Sequence, residues 1–206
     1  MKNNPTKQKV VDAASFLFFQ KGFHVTSVRD IAGKASVNVS LISYYFNGKQ
    51  GLLEYAVTNY FENYLTLLEE EIKSNKSLEN VEKLKNIIYS IINYKTEHFQ
   101  LTSFIHRELS LDSTFVREMT VTYLAKENHI LSTLFFSILG EGNKRRRTFL
   151  YMQLKGMILS PYILKHEWNN PILDEHAHRN FVRNYTESIN QWLTFISESA
   201  KTEQYN

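Results

Sequence analysis

The chain has 206 residues, of which 43% are hydrophobic and 22% are charged, which is the composition of an ordinary globular protein. It contains no cysteine, and this excludes disulfides, thiolate zinc sites and cysteine nucleophiles. The formal net charge is +3, but residues 1–50 carry seven basic and two acidic side chains, a balance of +5, so the remainder carries −2. A basic amino-terminal region is typical of a module that binds phosphate groups.

The start of the chain is polar, and no run approaches the roughly 18 apolar residues that a membrane-spanning helix needs. We therefore expect a cytoplasmic protein. The first predicted helix covers Thr6 to Gln20, because apolar side chains recur there with the spacing of one helix face. Gly22 follows as a left-handed C-terminal stop.

Two short helices joined by a tight turn are predicted between Thr26 and Lys49. The first begins at Thr26 or Ser27, either of which can accept from a free backbone N–H, and Asp30 completes a capping arrangement behind Ser27. Ser36 and Val37 form the turn. This is the pattern of a helix-turn-helix DNA reader.

The second short helix is predicted from an N-cap at Asn38 to about Phe46. Ile42 and Phe46 are four residues apart and share its buried face, which turns Ser40, Leu41 and Tyr44 outward and leaves Tyr45 on the flank. Lys49 lies where the next helix starts, so its ammonium is predicted to contact a DNA phosphate.

The rest of the chain predicts further helices and no strand of useful length. A long connecting helix is expected from Gly51 to about Ile72, and the later helices are expected over 78–96, 99–109, 114–139, 144–164 and 177–199. The fold class is therefore all-α, with about nine helices. We expect a helix-turn-helix DNA-binding domain at 1–50, a helical regulatory and dimerisation domain at 51–200, and a tail at 201–206.

The last two long helices carry more large apolar groups than one helix pair can bury, which predicts a homodimer. A two-fold dimer would also present two readers to successive major grooves, roughly 34–36 Å apart. The candidate dimerisation residues are Phe149, Met152, Met157, Phe181, Tyr185, Ile189, Trp192 and Ile196.

The first part of the chain resembles the TetR family of bacterial regulators. The motifs that carry the resemblance are V-V-x-A-A from Val10, L-F-x-x-x-G-F from Leu17, T-S-V-R-D-I-A from Thr26 and Y-Y-F-N-G-K-x-x-L from Tyr44. The resemblance implies that Thr26, Ser27, Tyr44 and Lys49 meet DNA phosphates. It also implies that Arg29 and the outer side of the second short helix approach bases, with candidates Asn38, Val39, Ser40, Leu41, Ser43, Tyr44 and Tyr45.

Three positions depart from the family pattern: Ser36 where glycine is frequent, Ser43 where an aromatic is common, and Tyr45 where histidine is usual. The second short helix also lacks a charged base reader. Recognition would then rest on Arg29, Asn38, Ser40 and contacts with thymine methyl groups, which predicts palindromic double-stranded DNA sites with A/T character in the half-sites.

Residues 100–129, together with 38–54, resemble more closely the TetR-type regulators of the division protein FtsZ in Bacillus and related spore formers. This implies a DNA-bound, nucleoid-associated dimer that controls Z-ring assembly at septation. A charged strip of Arg107, Glu108, Arg117 and Glu118 would dock FtsZ; the alternative is that these are solvated side chains in weak surface pairs.

An enzyme is not expected, because the sequence has no G-x-S-x-G, P-loop or G-x-G-x-x-G motif. His176 and His178 are two residues apart, which on a helix points them in nearly opposite directions, so no metal site and no cofactor are predicted. The basic run from Lys144 to Arg147 is expected to be a solvated helix start, or alternatively to attract an acidic partner or the DNA backbone.

The alternative function is a ligand-responsive repressor, whose aromatic-rich body holds a small apolar or cationic molecule.

Overall fold

The computed structural model describes residues 5–109, 114–164 and 175–204, which form helices joined by short turns, with no strand among them. In chain order the helices are α1 (Pro5–Lys21), α2 (Val28–Ala35), α3 (Val39–Phe46), α4 (Lys49–Ser74), α5 (Asn80–Glu97), α6 (Phe99–Leu109), α7 (Thr114–Leu139), α8 (Lys144–Ile163) and α9 (Glu175–Gln204). The predicted all-α fold class is confirmed. None of the described helices is long and apolar enough to cross a membrane.

The observed boundaries follow the predicted ones closely. Gly22 has a φ of +85° and its N–H donates to the Phe18 carbonyl, so it ends α1 in the left-handed conformation as expected. Helix α4 begins at Lys49 rather than Gly51 and continues to Ser74, which is further than the polar residues after Ile72 suggested. Helix α8 does begin at the basic run, where the Asn143 side chain caps two N–H groups.

The chain packs as two compact units: residues 1–63 with 98–120, and residues 64–97 with 121–206. The predicted domain boundary near residue 50 differs from this packing division. The difference arises because α6, which is distant in sequence, packs against α1.

The first unit is built around α1, which packs on both α2 and α6. The Phe18 ring is fully buried and lies 5.4 Å from the Phe104 ring of α6. The guanidinium of Arg107 donates to the carbonyl oxygens of Phe18 and Phe19, at 2.6 and 3.0 Å. These carbonyls lie in the last turn of α1, where a cation is favoured by the helix dipole.

The second unit is held by an aromatic core and a buried ionic cluster. In the core, the Trp192 ring of α9 stacks on the Phe135 ring of α7 with centroids 6.2 Å apart. In the cluster, the Glu127 carboxylate of α7 accepts from the Tyr64 hydroxyl and the Lys155 ammonium, each at 2.6 Å, and pairs with the Lys95 ammonium at 3.3 Å. We call these four residues the Glu127 cluster.

Candidate nucleic-acid interface

Helix α2 begins with a complete capping box. Ser27 is the N-cap; its hydroxyl accepts from the Asp30 N–H at 3.1 Å, and its own N–H donates to the Asp30 carboxylate at 3.0 Å. Hydrogen bonding to Ser27 holds the pKa of Asp30 below its ordinary value, and the backbone N–H of Ser27 contributes more to this than its side chain. The buried side chains of α2 are Ile31, Ala32 and Ala35, so the helix is fixed both at its start and along one face.

The turn after α2 depends on one residue in the left-handed region. Ser36 has a φ of +54° and a ψ of +46°, and its N–H donates to the carbonyl oxygens of Ala32 and Gly33. The predicted turn at Ser36 and Val37 is confirmed. Left-handed backbone is unfavourable for residues with a Cβ. Glycine would therefore adopt this turn with less strain than Ser36.

Helix α3 is capped at both ends and presents one face outward. The Asn38 side-chain oxygen accepts from the Ser40 N–H at 2.9 Å and from the Ser40 hydroxyl at 2.7 Å. Ile42 and Phe46 are buried, as predicted. Among the candidate base-contacting residues, Asn38, Val39, Ser40, Ser43 and Tyr44 are exposed, whereas Leu41 and Tyr45 are half-buried.

The outward face of α3 ends in two tyrosines. The Tyr44 side chain is 79% exposed, and its ring lies edge-on to the Tyr45 ring with centroids 5.0 Å apart. A phenolic hydroxyl that projects from a fixed helix can donate to a phosphate oxygen. Arg29, on the neighbouring helix α2, is also exposed. The structure therefore leaves Ser27, Arg29 and Tyr44 accessible, as their predicted DNA contacts require.

Thr26 does not fit the predicted role of its side chain. It is 1% exposed, and its hydroxyl donates inward to the carbonyls of Gly22 at 2.7 Å and Leu17 at 3.3 Å. Ser27 and not Thr26 therefore caps α2, and the Thr26 hydroxyl is not available for the predicted phosphate contact, which stays a prediction for this residue. The Thr26 side chain instead links the end of α1 to the segment that leads into α2, the first helix of the helix-turn-helix.

The Lys49 side chain also makes hydrogen bonds within the subunit. Its ammonium donates to the carbonyls of Phe23 and Thr26 at 2.8 Å each and to that of His24 at 3.4 Å, and it lies 4.4 Å from the Phe23 ring centroid. An ammonium has three N–H donors, so all three are used. Lys49 fastens the start of α4 to the segment that leads into α2, so in this structure its ammonium is not free to make the predicted phosphate contact.

The turn from α3 to α4 has no room for a side chain at Gly51. A Cβ added there would lie 1.9 Å from the carbonyl oxygen of Phe46, which is backbone and cannot easily move. Asn47 ends α3 in the left-handed conformation, with a φ of +56°. This close approach was not predicted, because periodicity does not show how near two successive helices come.

The residues of the predicted FtsZ-docking strip differ in their exposure. Arg107 is bound to α1 carbonyls, as described above, and Glu108 is only 6% exposed. Glu118 is exposed, and the side chain of Arg117 lies outside the described part of the structure. Of the four residues of the predicted strip, Glu108 is therefore buried and Arg107 is half-buried.

The predicted dimerisation residues divide by burial. Phe149 and Met152 of α8 are 56% and 63% exposed, whereas Ile189 and Ile196 of α9 lie in the core of their own subunit, so their assignment to an interface is wrong. Four others are half-buried: Met157, Phe181, Tyr185 and Trp192. His176 and His178 lie on α9, and no described group of three or more His, Asp or Glu side chains is arranged to hold a metal.

Two capped short helices with an exposed second helix define a helix-turn-helix DNA-binding protein. A model of the bacterial regulatory proteins of the tetR family matches residues 10–56. Over 198 residues, 93% of each chain, the protein is 39% identical to YttP of Bacillus subtilis (strain 168), named as a probable HTH-type transcriptional regulator. The chain belongs to the tetR family, and it is a DNA-binding transcriptional regulator.

Solved structures share the fold at low sequence identity. The fatty acid degradation regulator FadR from Bacillus halodurans has a TM-score of 0.62 and 21% identity, with 88% of this chain and 97% of that chain covered. The ketosteroid transcriptional regulator KstR2 of Mycobacterium tuberculosis has a TM-score of 0.68 and 12% identity, with 96% of each chain covered. At such identities the likeness is one of fold alone.

Proposed function

We propose that the protein acts as a homodimer that binds palindromic DNA sites and regulates the transcription of adjacent genes. The observation that carries this proposal is the outward face of α3, which is exposed between two capped ends beside the exposed Arg29 of α2. A helix held in this way can enter a major groove. Its small and phenolic side chains favour half-sites with A/T character, because thymine methyl groups offer apolar contacts.

Selection of bound duplexes from a random library tests the reader. We expect a palindrome whose half-sites are centred about one helical turn apart. Tyr44→Ala should weaken binding to the selected duplex, whereas Tyr89→Ala should not, because Tyr89 is an exposed tyrosine of α5 in the second unit. Strongly G-rich half-sites, or equal losses in the two variants, would contradict the proposed reader.

Exposed apolar side chains on α8 support the homodimer. Phe149 and Met152 are three residues apart and so share one face of the helix. Met152→Glu should shift the protein towards monomer in sedimentation experiments. Val121→Glu is the matched control, because Val121 is equally apolar and 65% exposed but lies on α7. Dimer loss in both variants, or in neither, would exclude α8 as the specific interface.

A cell-division output is a second candidate, and residues 100–129 and 38–54 favour it through their resemblance to RefZ, the regulator of FtsZ. Of the four residues proposed to dock FtsZ, Glu108 is buried and Arg107 is half-buried. Mapping of bound chromosomal sites separates the two outputs. Palindromes next to promoters support transcriptional regulation, whereas scattered sites together with direct binding to purified FtsZ support the division role.

A small-molecule effector is compatible with transcriptional regulation, and the names of FadR and KstR2 motivate the test with fatty acids and steroids. The second unit buries polar side chains, among them Glu127 and Lys95, and ligand sites commonly combine a few polar groups with an apolar lining. A compound that raises the melting temperature and also releases the selected duplex would support this regulation. Stabilisation without release would count against it.

A further inference from the structure

Lys7 is held in an aromatic cluster directly beside the reader. Its ammonium lies 4.9 Å from the ring centroid of Tyr55, 5.6 Å from that of Phe46 and 5.7 Å from that of Tyr45. These rings belong to α3 and to the first part of α4, and all three, like Lys7, lie in the first compact unit. A cation within about 6 Å of an aromatic face is attracted by its quadrupole.

Neither the helix dipole nor an ion pair within the described part of the subunit explains why a cation is placed here. Lys7 is the third described residue of α1, and the dipole of a helix disfavours positive charge in its first turn. No carboxylate of the described chain pairs with the Lys7 ammonium; the three rings surround it instead. A thioether or alkyl side chain would pack against these rings without the charge.

The position of Lys7 gives the charge a use in DNA binding. Its ammonium contacts Tyr45, whose ring is the neighbour of the exposed Tyr44 ring at the end of α3. We propose that Lys7 is a phosphate contact of the DNA interface, fixed in place by the rings of Tyr45, Phe46 and Tyr55. This inference rests on the proposed function of α3 as the reader.

The aromatic cluster would act by fixing the lysine before DNA arrives. A free lysine loses side-chain entropy when it binds a phosphate, and ordering it in advance lowers that cost. Tyr55 is the natural residue to test, because it is the nearest ring and is partly exposed on α4 rather than in the core. Its effect on DNA binding should then pass through Lys7.

The experiment measures affinity for the selected palindromic duplex, and for an unrelated duplex, as a function of salt. Lys7→Met removes the charge but keeps an unbranched side chain against the rings. We expect it to weaken both duplexes about equally, by roughly five- to tenfold per subunit at about 0.1 M salt, and to lower the salt slope by about one per subunit. Lys7→Arg should retain most of the affinity, since it keeps both the charge and the ring contacts.

Lys9→Met is the matched control. Lys9 is exposed on the same helix, but it lies two residues away and therefore points to a nearly opposite side. Lys9→Met removes the same unit charge as Lys7→Met. If the effect of Lys7 comes from a local phosphate contact, Lys9→Met should nevertheless leave the salt slope nearly unchanged. Equal slopes for Lys7→Met and Lys9→Met would overturn the inference.

A double-mutant cycle tests the role of the ring. Tyr55→Leu should weaken DNA binding when Lys7 is present and have little further effect in the Lys7→Met background. Additive losses would show that Tyr55 acts independently of Lys7 and would refute the fixing of the lysine. If the unaltered protein selects no duplex at all, the proposed function fails; if it binds DNA and the Lys7 and Lys9 variants agree, only this inference fails.

Discussion

Replacement of Glu127 by glutamine should destabilise the second unit severely, although it changes only one oxygen to an amide nitrogen. Glu127 and Lys95 are 0% and 1% exposed in their side chains, so the substitution leaves the Lys95 ammonium buried without its carboxylate. Removing one partner of a buried ion pair costs about 3–5 kcal/mol. Native domains have a total stability of about 5–15 kcal/mol, so this loss is a large part of it.

Lys155→Gln is the matched variant, because it removes the other ammonium from the same carboxylate. The Lys155 side chain is partly exposed, and Lys95 continues to neutralise Glu127 in its absence. Its cost should therefore be distinctly smaller than that of Glu127→Gln. Both are measured by chemical denaturation, with Trp192 fluorescence as a probe, since its ring stacks in the core of the second unit.

The pH dependence gives an independent test. Burial alone would raise the pKa of Glu127, but the Lys95 and Lys155 ammoniums and the Tyr64 hydroxyl outweigh burial and hold that pKa well below its ordinary value of 4.5. A lowered pKa in the folded state contributes stability above the unfolded pKa and loses it as the pH falls towards the folded pKa. The unaltered protein should therefore lose this contribution below about pH 4.5, and Glu127→Gln should lack it.

Two results would refute this reasoning. One is a loss of less than about 1 kcal/mol in Glu127→Gln, which would mean that water reaches Lys95. The other is an identical fall in stability between about pH 6 and pH 3 in the two proteins, which would place the acid sensitivity elsewhere.

The reader itself yields further predictions. Lys49→Met should lower stability by about 1–3 kcal/mol through loss of its carbonyl contacts, with the salt slope of DNA binding nearly unchanged; a slope reduced by about one would restore its role as a phosphate contact. Ser27→Ala should cost about 0.5–2 kcal/mol in denaturant unfolding by removing the N-cap, and no loss would contradict the capping box. Ser36→Gly should stabilise by up to about 1 kcal/mol, because glycine adopts the left-handed turn freely, and destabilisation would show that the serine side chain matters. Gly51→Ala should reduce both folding stability and DNA affinity, since its Cβ meets the Phe46 carbonyl, and a neutral effect would mean that α3 and α4 separate easily.

Local sequence patterns determined most of the helix boundaries. Three of these signals join residues that are within four positions of one another: the capping box of Ser27 and Asp30, the N-cap at Asn38 and the stop at Gly22. Such local signals can be predicted from the sequence. The exposed face of α3 follows from helical spacing in the same way, because Ile42 and Phe46 fix the opposite face in the core.

Several of the contacts that sequence reasoning missed join residues that are distant along the chain. Lys49 reaches carbonyls 23 to 26 positions earlier, and Arg107 reaches α1 carbonyls 88 and 89 positions earlier. In both cases a cationic side chain donates to backbone carbonyl oxygens at a turn or helix end. Glu127 was missed for the same reason, since its three partners come from three other helices.

Because the donors of Lys49 are occupied within the subunit, the positive charge of the amino-terminal region is not a count of its phosphate contacts. A hydrogen-bonded ammonium keeps its full charge, so Lys49 still adds to the long-range field that attracts DNA even though its donors are occupied. A phosphate contact, in contrast, needs a donor that can reach the backbone of the duplex. The +5 balance of residues 1–50 should therefore speed association with any DNA, whereas the number of phosphate contacts per subunit should be smaller than the number of lysines and arginines.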